Sequence, residues 1–234
     1  MIEKQSTLIV FWRRQPLAGH CLIVGAGPGL GLSLARRFGA RGMAVGLVAR
    51  RAAALDEYVD QLRGEGLAVE AAAADVADRT ALKHALQILM DHQGTPDILI
   101  YNAFHRAEGL ASRMAVDDML ESVRINAGGA VNAVQLVLPG MRAAGKGTIL
   151  ITGGGAAIDP WPALAPLGVG KAALRNFALN LAEELKPEGI HVATVTICDH
   201  IAPGTRFDPD RIARVYTDLA DEPRGAWRAE VIYR

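Results

Sequence analysis

The sequence has no excess of either charge sign. Its 234 residues contain 25 Lys plus Arg and 25 Asp plus Glu, so the formal net charge at pH 7 is zero. Nucleic acids and anionic membrane surfaces are usually bound by a strongly basic face, and a balanced composition offers no such face. We therefore expect neither a nucleic acid nor a membrane as a partner.

Cysteine is nearly absent. Cys21 and Cys198 each lie inside an apolar run, and their positions do not match the spacing of metal ligands. A secreted chain stabilised by disulfides would carry more cysteines in a regular framework. The sequence therefore predicts reduced thiols in a cytoplasmic protein, with no disulfide framework and no metal site.

Long hydrophobic runs are also missing near the N-terminus. The apolar run 8–12 is too short for a signal sequence or a membrane span, and Arg13 and Arg14 follow this run rather than precede it. Residues 1–18 are predicted to be a soluble N-terminal extension.

Aromatic residues make up only 5% of a chain that is 50% hydrophobic. The apolar content is therefore mainly Ala, Val, Leu and Ile, which is typical of parallel strands covered by helices. The length fits one large α/β domain, which we place at residues 19–234.

From His20 onward, short apolar runs alternate with amphipathic stretches of helical length. The predicted strands are 21–24, 44–48, 68–73, 98–101, 148–151 and 191–197. The predicted helices are 30–40, 52–64, 80–93, 115–144 and 169–186. This alternation predicts a Rossmann-type fold, a doubly wound parallel sheet with helices on both faces. Residues 201–234 are less regular, and we expect them to form a flap on the substrate side and a C-terminal tail.

A glycine-rich loop follows the first predicted strand and leads into the first predicted helix. The loop reads Gly-Ala-Gly-Pro-Gly-Leu-Gly, and its predicted binding residues are Gly25, Gly27, Gly29, Leu30 and Gly31. Glycine lets a phosphate approach the backbone, and the N–H groups at a helix start favour its negative charge. Together with the strand and the helix around it, the loop predicts a pyrophosphate site for a dinucleotide.

The second predicted strand ends in Ala49, Arg50 and Arg51. Proteins that prefer NAD usually carry an acidic residue here for the ribose 2′-hydroxyl, and this chain has none. A guanidinium can instead bind a 2′-phosphate with two charge-assisted hydrogen bonds. Arg50 therefore favours NADP(H) over NAD(H), although a solvated arginine pair at a helix start would show the same pattern.

Several segments together resemble the short-chain dehydrogenase/reductase family over residues 20–200. These are the glycine spacing, Asp75-Val76, Asn102-Ala103, Asn126 and Lys171. The resemblance implies that Asp75 and Val76 contact the adenine and that Asn102 and Ala103 line the nucleotide channel. It also implies catalytic roles for Lys171 and Asn126. From the residues alone, Asp75 could instead cap a helix, and Asn126 could serve a structural partner.

The catalytic pattern of the family is incomplete in this chain. Leu167 stands where the family has its proton-donating tyrosine, and Gly154 stands where it has its serine. A shift of register finds only Ala165 and Leu164, neither of which can transfer a proton. The chain is therefore expected to be an atypical family member that lacks both side chains.

Substitute proton donors and other chemistries can be sought in the loops after the later strands. Tyr101, His105 and Thr152 follow the fourth and fifth strands, but packing or loop roles are the simpler explanation for them. Residues 198–200, Cys-Asp-His, would be a nucleophile or metal ligands only with partners that the sequence does not identify.

Two functions fit these observations. One is an NADP(H)-dependent oxidoreductase with a non-standard active site, acting on a small organic carbonyl or alcohol. The other is a catalytically silent NADP(H)-binding sensor or regulatory subunit. In either case the resemblance implies a homodimer or homotetramer that pairs through the long helices, over residues 127–141 and 172–185.

Overall fold

The structure, a computed structural model, describes residues 18–234. Almost all of the predicted N-terminal extension, residues 1–17, lies outside the described residues.

Seven strands form the sheet of this part of the chain, and every neighbouring pair is parallel. They are β1 (His20–Val24), β2 (Ala44–Ala49), β3 (Val69–Ala73), β4 (Ile98–Tyr101), β5 (Gly147–Gly154), β6 (Ile190–Ile197) and β7 (Glu230–Tyr233). Their order in the sheet is β3-β2-β1-β4-β5-β6-β7, so the direction of winding reverses between β1 and β4. Such a reversal opens a crevice at the carboxyl ends of the strands.

Helices cover both faces of the sheet. They are α1 (Leu30–Gly39), α2 (Ala52–Gly64), α3 (Arg79–Gln93), α4 (Val116–Val123), α5 (Gly129–Ala144), α6 (Ala165–Leu185) and α7 (Pro209–Ala220). One apolar core lies between the sheet and α3, α5 and α6, and a second lies between the sheet and α1, α2 and α7. Successive side chains of β1 alternate between these cores, with Leu22 in the first and Ile23 in the second. The predicted doubly wound α/β fold is confirmed.

The predicted helix 115–144 forms α4 and α5, joined by one π-helical turn at Arg124–Gly128. Asn126 lies in this turn and is fully buried. A π-turn widens the helix locally and is frequent at functional sites.

The C-terminal part differs from its prediction as a flap and irregular tail. About half of residues 201–234 form α7 and β7, and only residues near the start of this segment line the crevice. Asp208 caps α7 by accepting a hydrogen bond from the Asp210 N–H, and Pro209 occupies the first turn. An N-cap aspartate before a proline is a helix-start signal, so these two residues could have predicted α7.

The described helices include none with both the length and the apolar content needed to cross a membrane.

Candidate active site

A large crevice lies at the carboxyl ends of the strands, at the reversal between β1 and β4. Its volume is about 1250 Å³, which exceeds the roughly 300–1,000 Å³ of most small-molecule sites. It is lined by all the residues predicted for the cofactor, namely Gly25, Gly27, Gly29, Leu30, Gly31, Arg50, Asp75, Val76, Asn102, Ala103 and Lys171. The fold therefore brings these separated segments to one surface.

The glycine loop is shaped partly by packing and partly by open space. Gly25 has a φ of +100°, and a side chain there would collide with the backbone of Ala103. Gly27 and Gly29 face open space, since nothing lies within 4 Å of a Cβ built on either residue. Because no side chain caps the start of α1, the backbone N–H groups of its first turn remain available to a ligand.

Positive charge lies beside the end of β2. Arg50 and Arg51 are exposed and line the crevice. Neither arginine forms an ion pair within residues 18–234. α2 begins at Ala52 with no acidic residue in its first turn. The guanidinium of Arg50 and the positive end of the helix dipole therefore act in the same region.

Asp75 is not the helix cap that its sequence position allowed. The cap of α3 is Asp78, whose carboxylate accepts hydrogen bonds from the N–H groups of Thr80 and Ala81. One carboxylate oxygen of Asp75 accepts a hydrogen bond from the Ala77 N–H at 2.9 Å. Its other oxygen remains available to a ligand at the crevice wall.

A chain of hydrogen bonds fixes the loops after β1, β4 and β5 to one another. The Asn102 side-chain amide donates to the Gly25 carbonyl at 2.9 Å, and its oxygen accepts from the Thr152 hydroxyl at 2.9 Å. The Thr152 oxygen lies 2.7 Å from the Tyr216 hydroxyl. Because the Thr152 hydroxyl donates its single hydrogen to Asn102, the Tyr216 hydroxyl is the donor in this last bond.

Sequence reasoning missed Tyr216, which lies on α7 and is fully buried. Burial raises the pKa of its phenol above its usual range, so the group stays protonated and can keep donating. The prediction of an irregular tail over residues 201–234 did not place Tyr216 on a helix that packs against the site.

Lys171 lies on α6 and is buried, with 6% of its surface exposed. Its ammonium donates to the Thr152 carbonyl at 2.9 Å and lies 5.9 Å from the centre of the Phe104 ring. Desolvation lowers the pKa of Lys171 from 10.5 to about 8. The crevice therefore contains a buried amine that can exchange its proton close to neutral pH.

Gly154 and Leu167, where the resemblance leads us to expect a serine and a tyrosine, both line the crevice. A Cβ at Gly154 would lie 3.5 Å from Cγ of Lys171, which is ordinary van der Waals contact. Leu167 is half-buried and contributes only apolar surface. No hydroxyl at either position comes between the lysine and a ligand.

Asn126 does not line the crevice. Its amide nitrogen donates to Ser122 and to the His105 carbonyl, and its oxygen accepts from the His105 N–H at 3.2 Å. All its polar atoms are therefore used to hold the loop after β4 against the π-turn. This arrangement favours the structural role that the sequence left open.

The residues considered as substitute proton donors differ in whether they line the crevice. Tyr101 is fully buried, donates to the Ile125 carbonyl at 2.5 Å and lies outside the crevice lining. The lining also excludes His105 and Cys198, but it includes Thr152, Asp199 and His200. Within the described residues, no group of three or more His, Cys, Asp or Glu could hold a metal ion.

Comparisons with known proteins agree with this geometry. The sequence profile of the family described as short chain dehydrogenase matches residues 19–202. "Dehydrogenase/reductase SDR family member 4" of Sus scrofa is 31% identical over 182 residues, which are 77% of this chain and 65% of that protein. The chain thus spans just under two thirds of the length of this relative.

Two solved structures share the fold. An actinorhodin polyketide ketoreductase with NADPH superposes with a TM-score of 0.85 at 22% identity, covering 91% of this chain and 94% of that one. A metagenomic short-chain oxidoreductase in complex with NADP has a TM-score of 0.84 at 24% identity, covering 92% of this chain and 96% of that one.

Proposed function

The chain belongs to the short-chain dehydrogenase family, and from this premise we propose that it is an NADP(H)-dependent oxidoreductase with a non-standard active site. Its substrate would be a small organic carbonyl compound or the corresponding alcohol. The observation that carries the proposal is the position of Lys171, a buried amine in the same crevice as the glycine loop.

The crevice residues fit a dinucleotide. The open space beside Gly27 and Gly29 would be reduced by any side chain, and it suits a pyrophosphate against the backbone. Asp75 and Val76 line the wall where an adenine would lie. When bound, the nicotinamide supplies or accepts the hydride of the reaction.

Arg50 supports NADP(H) over NAD(H). Its exposed guanidinium has no ion-pair partner among the described residues, and the first turn of the adjoining α2 contains no acidic residue. A ribose 2′-phosphate is negatively charged, and two of its oxygens can accept hydrogen bonds from one guanidinium.

Lys171 is the residue that we place next to the reacting oxygen. With Leu167 and Gly154 on the same wall, its ammonium is the buried group that can hold and release a proton there. Asn126 acts indirectly, as a positioning residue that holds the backbone of His105. We place this activity in the cytoplasm, because both Cys21 and Cys198 are free thiols.

Calorimetric titration with NADPH and NADH tests the choice of cofactor. We expect NADPH to bind at least about tenfold more tightly, equivalent to about 1.4 kcal/mol, and Arg50→Ala to abolish most of this difference. Arg214→Ala is the matched control, because Arg214 is exposed on α7 and does not line the crevice. Equal affinities for the two nucleotides would remove the basis for the preference.

Transfer of isotope tests the reaction itself, even if turnover is slow. NADPH deuterated at the transferred position is incubated with the protein and a ketone, and the alcohol is analysed by mass spectrometry. We expect deuterium in the alcohol with the wild type and a large loss of it with Lys171→Met. A wild-type protein that binds NADPH and never labels an alcohol would contradict the proposed activity.

A further inference from the structure

Apolar side chains form one end of the crevice, namely Phe104, Trp161, Leu164, Leu167 and Ile201. The crevice as a whole is not free of polar groups, because Arg106, Asp199 and His200 also line it. Phe104 is 58% exposed and Trp161 is 36% exposed, which is unusual for side chains of this size. Neighbouring exposed aromatic side chains in a concave surface are typical of a binding site for apolar groups.

A second cavity, of about 540 Å³, adjoins this end. Ala156, Trp161 and Leu164 line both cavities, so these three residues form their common wall. The remaining lining is Leu110, Ala111, Ser112, Pro160, Pro162, Ala165 and Gly168. Ser112 contributes the one polar side chain of this lining, and no charged residue belongs to it.

The common wall is held by backbone hydrogen bonds. The Gly109 N–H donates to the Ala163 carbonyl at 2.9 Å, and the Ala165 N–H donates to the Gly109 carbonyl at 3.1 Å. Gly109 and Leu164 also form an isolated parallel bridge. These bonds join the loop after β4 to the loop before α6, so the second cavity is formed by linked segments rather than by one free loop.

The polarity of the lining selects against charge. A charged group placed in the second cavity would lose part of its hydration and meet no opposite charge among the lining residues. An uncharged apolar group would instead bury its surface against Trp161, Leu164 and Pro160. The ring of Trp161 has the flat surface on which an aromatic or alicyclic group packs well.

We propose that the second cavity receives an uncharged, bulky apolar substituent of the substrate, with Trp161 as a specificity-determining residue. The preferred ligands are therefore aryl or alicyclic ketones and alcohols, not small or carboxylated ones. The identity of the reacting group rests on the proposed function, but the preference for an apolar substituent rests on the cavity alone.

A matched pair of ligands tests the preference without any turnover. Binding of 2-acetylnaphthalene and of 6-acetyl-2-naphthoate is measured by calorimetry in the presence of NADP⁺, which cannot reduce a ketone. The two probes share the ring system and the ketone, and they differ by one distal carboxylate. We expect the uncharged probe to bind at least about tenfold more tightly, because the carboxylate finds no partner in the cavity.

Variants of the residues that line the second cavity test whether the substituent binds there. Ala165→Phe places a bulky side chain in the second cavity, and Trp161→Ala removes the largest side chain of the common wall. Both should weaken binding of 2-acetylnaphthalene at least about fivefold and leave NADP⁺ affinity unchanged, and Trp161→Phe should retain most of the binding. Ala172→Phe is the matched control on the same helix, because Ala172 is exposed and lines neither cavity. Thermal unfolding of each variant checks that the fold is retained.

The outcomes separate this proposal from the proposed function. If the uncharged probe binds as expected and NADPH never reduces it, hydride transfer is wrong and the cavity assignment stands. If NADPH reduces ketones while the two probes bind equally, or while Ala165→Phe changes nothing, the cavity assignment is wrong and hydride transfer stands. Failure of both probes to bind at their solubility limit would also overturn the cavity assignment.

Discussion

Lys171 is buried as a cation without an ion-pair partner among the described residues. The Thr152 carbonyl and the Phe104 ring interact favourably with the ammonium, but both are uncharged. A buried charge that lacks an opposite charge lowers the stability of the folded state. The cost is tolerable where the residue serves a ligand, as we propose for the reacting oxygen.

The stability of the protein should therefore change with pH in a way that depends on Lys171. Its pKa is about 8 in the folded state and 10.5 as the reference value. Between these values the unfolded chain binds more protons, so the free energy of unfolding gains a contribution that rises with pH. At 1.36 kcal/mol per pH unit, the wild type should gain about 2–3 kcal/mol relative to Lys171→Met between pH 7 and pH 10. Urea unfolding of both proteins at several pH values measures this difference, and parallel curves would contradict it.

The expectation that Leu167 and Gly154 replace a catalytic tyrosine and serine can be tested by introducing those two side chains. Wild-type reduction of small ketones, aldehydes and quinones is expected to be very slow, because a positioned general acid contributes about 10²–10⁴-fold and an oxyanion donor about 10²–10³-fold. Gly154 has room for a serine side chain beside Lys171. The double variant Gly154→Ser/Leu167→Tyr should raise kcat at least about tenfold, with NADPH affinity little changed.

Gly154→Ala/Leu167→Phe is the control, because it fills the same space without hydroxyl groups. Robust reduction by the wild type, or an equal gain in this control, would show that the hydroxyl groups are not the missing component. The rate of NADPH oxidation measures the activity of the wild type, the double variant and this control.

Among the elements, α7 has a greater part in the site than its place near the C-terminus suggests. It packs on α1, and its Tyr216 completes the hydrogen-bond chain to Thr152, Asn102 and Gly25. The glycine loop is thereby connected to an element that follows it by almost the whole length of the chain. Small changes in α7 should consequently reach the cofactor site.

Removal of one hydroxyl group tests this connection. Tyr216→Phe deletes the donor to Thr152, and we expect a loss of about 0.5–1.5 kcal/mol in the free energy of unfolding. NADPH affinity should fall severalfold, because Asn102 and the glycine loop are held less firmly. Tyr233→Phe, which deletes the exposed hydrogen bond to the Arg206 carbonyl, is the matched control and should affect NADPH binding little. Equal NADPH affinities for the two variants and the wild type would show that α7 does not support the site.

At the scale of the whole molecule, the two helical segments expected to pair between subunits do not present a broad exposed apolar face. Their apolar inner faces are buried in the core, and no large hydrophobic side chain of 127–141 or 172–185 is exposed. The exposed apolar side chains of this region are Val116 and Leu120, one turn apart on α4, and Val169 on the neighbouring α6. A homodimer or homotetramer remains our expectation, and the exposed apolar side chains indicate that α4 would form its most apolar contact.

Light scattering tests the assembly. We expect the wild type to have two or four times the chain mass of 24.8 kDa at micromolar concentration. Leu120→Asp should shift it towards a monomer, because a buried carboxylate in an apolar contact is costly. Ile88→Asp is the control, since Ile88 is an exposed apolar residue on α3. A wild-type mass of one chain would refute the assembly.

Much of the fold and part of the site follow from local signals. Apolar runs specify the central strands, and the glycines between β1 and α1 mark the loop, where the positive φ of Gly25 requires glycine and Gly27 and Gly29 leave space for a ligand. β7 could not be recognised in this way, since it has four residues and none of them is buried. Its place in the sheet depends on pairing with β6, and Arg175 of α6 forms an ion pair with its Glu230.

The sequence by itself determined the α/β class, the candidate cofactor residues and the absence of a hydroxyl at positions 154 and 167. These properties depend on residue type and on neighbours along the chain. Only the tertiary structure decided that Tyr216 supports Asn102, that Asn126 is committed to His105, and that Trp161 separates two cavities. Each of these depends on contacts between distant segments, and burial and hydrogen bonding are set by every element that packs around a group. The charge state of Lys171 belongs with them, because desolvation is a property of the assembled site.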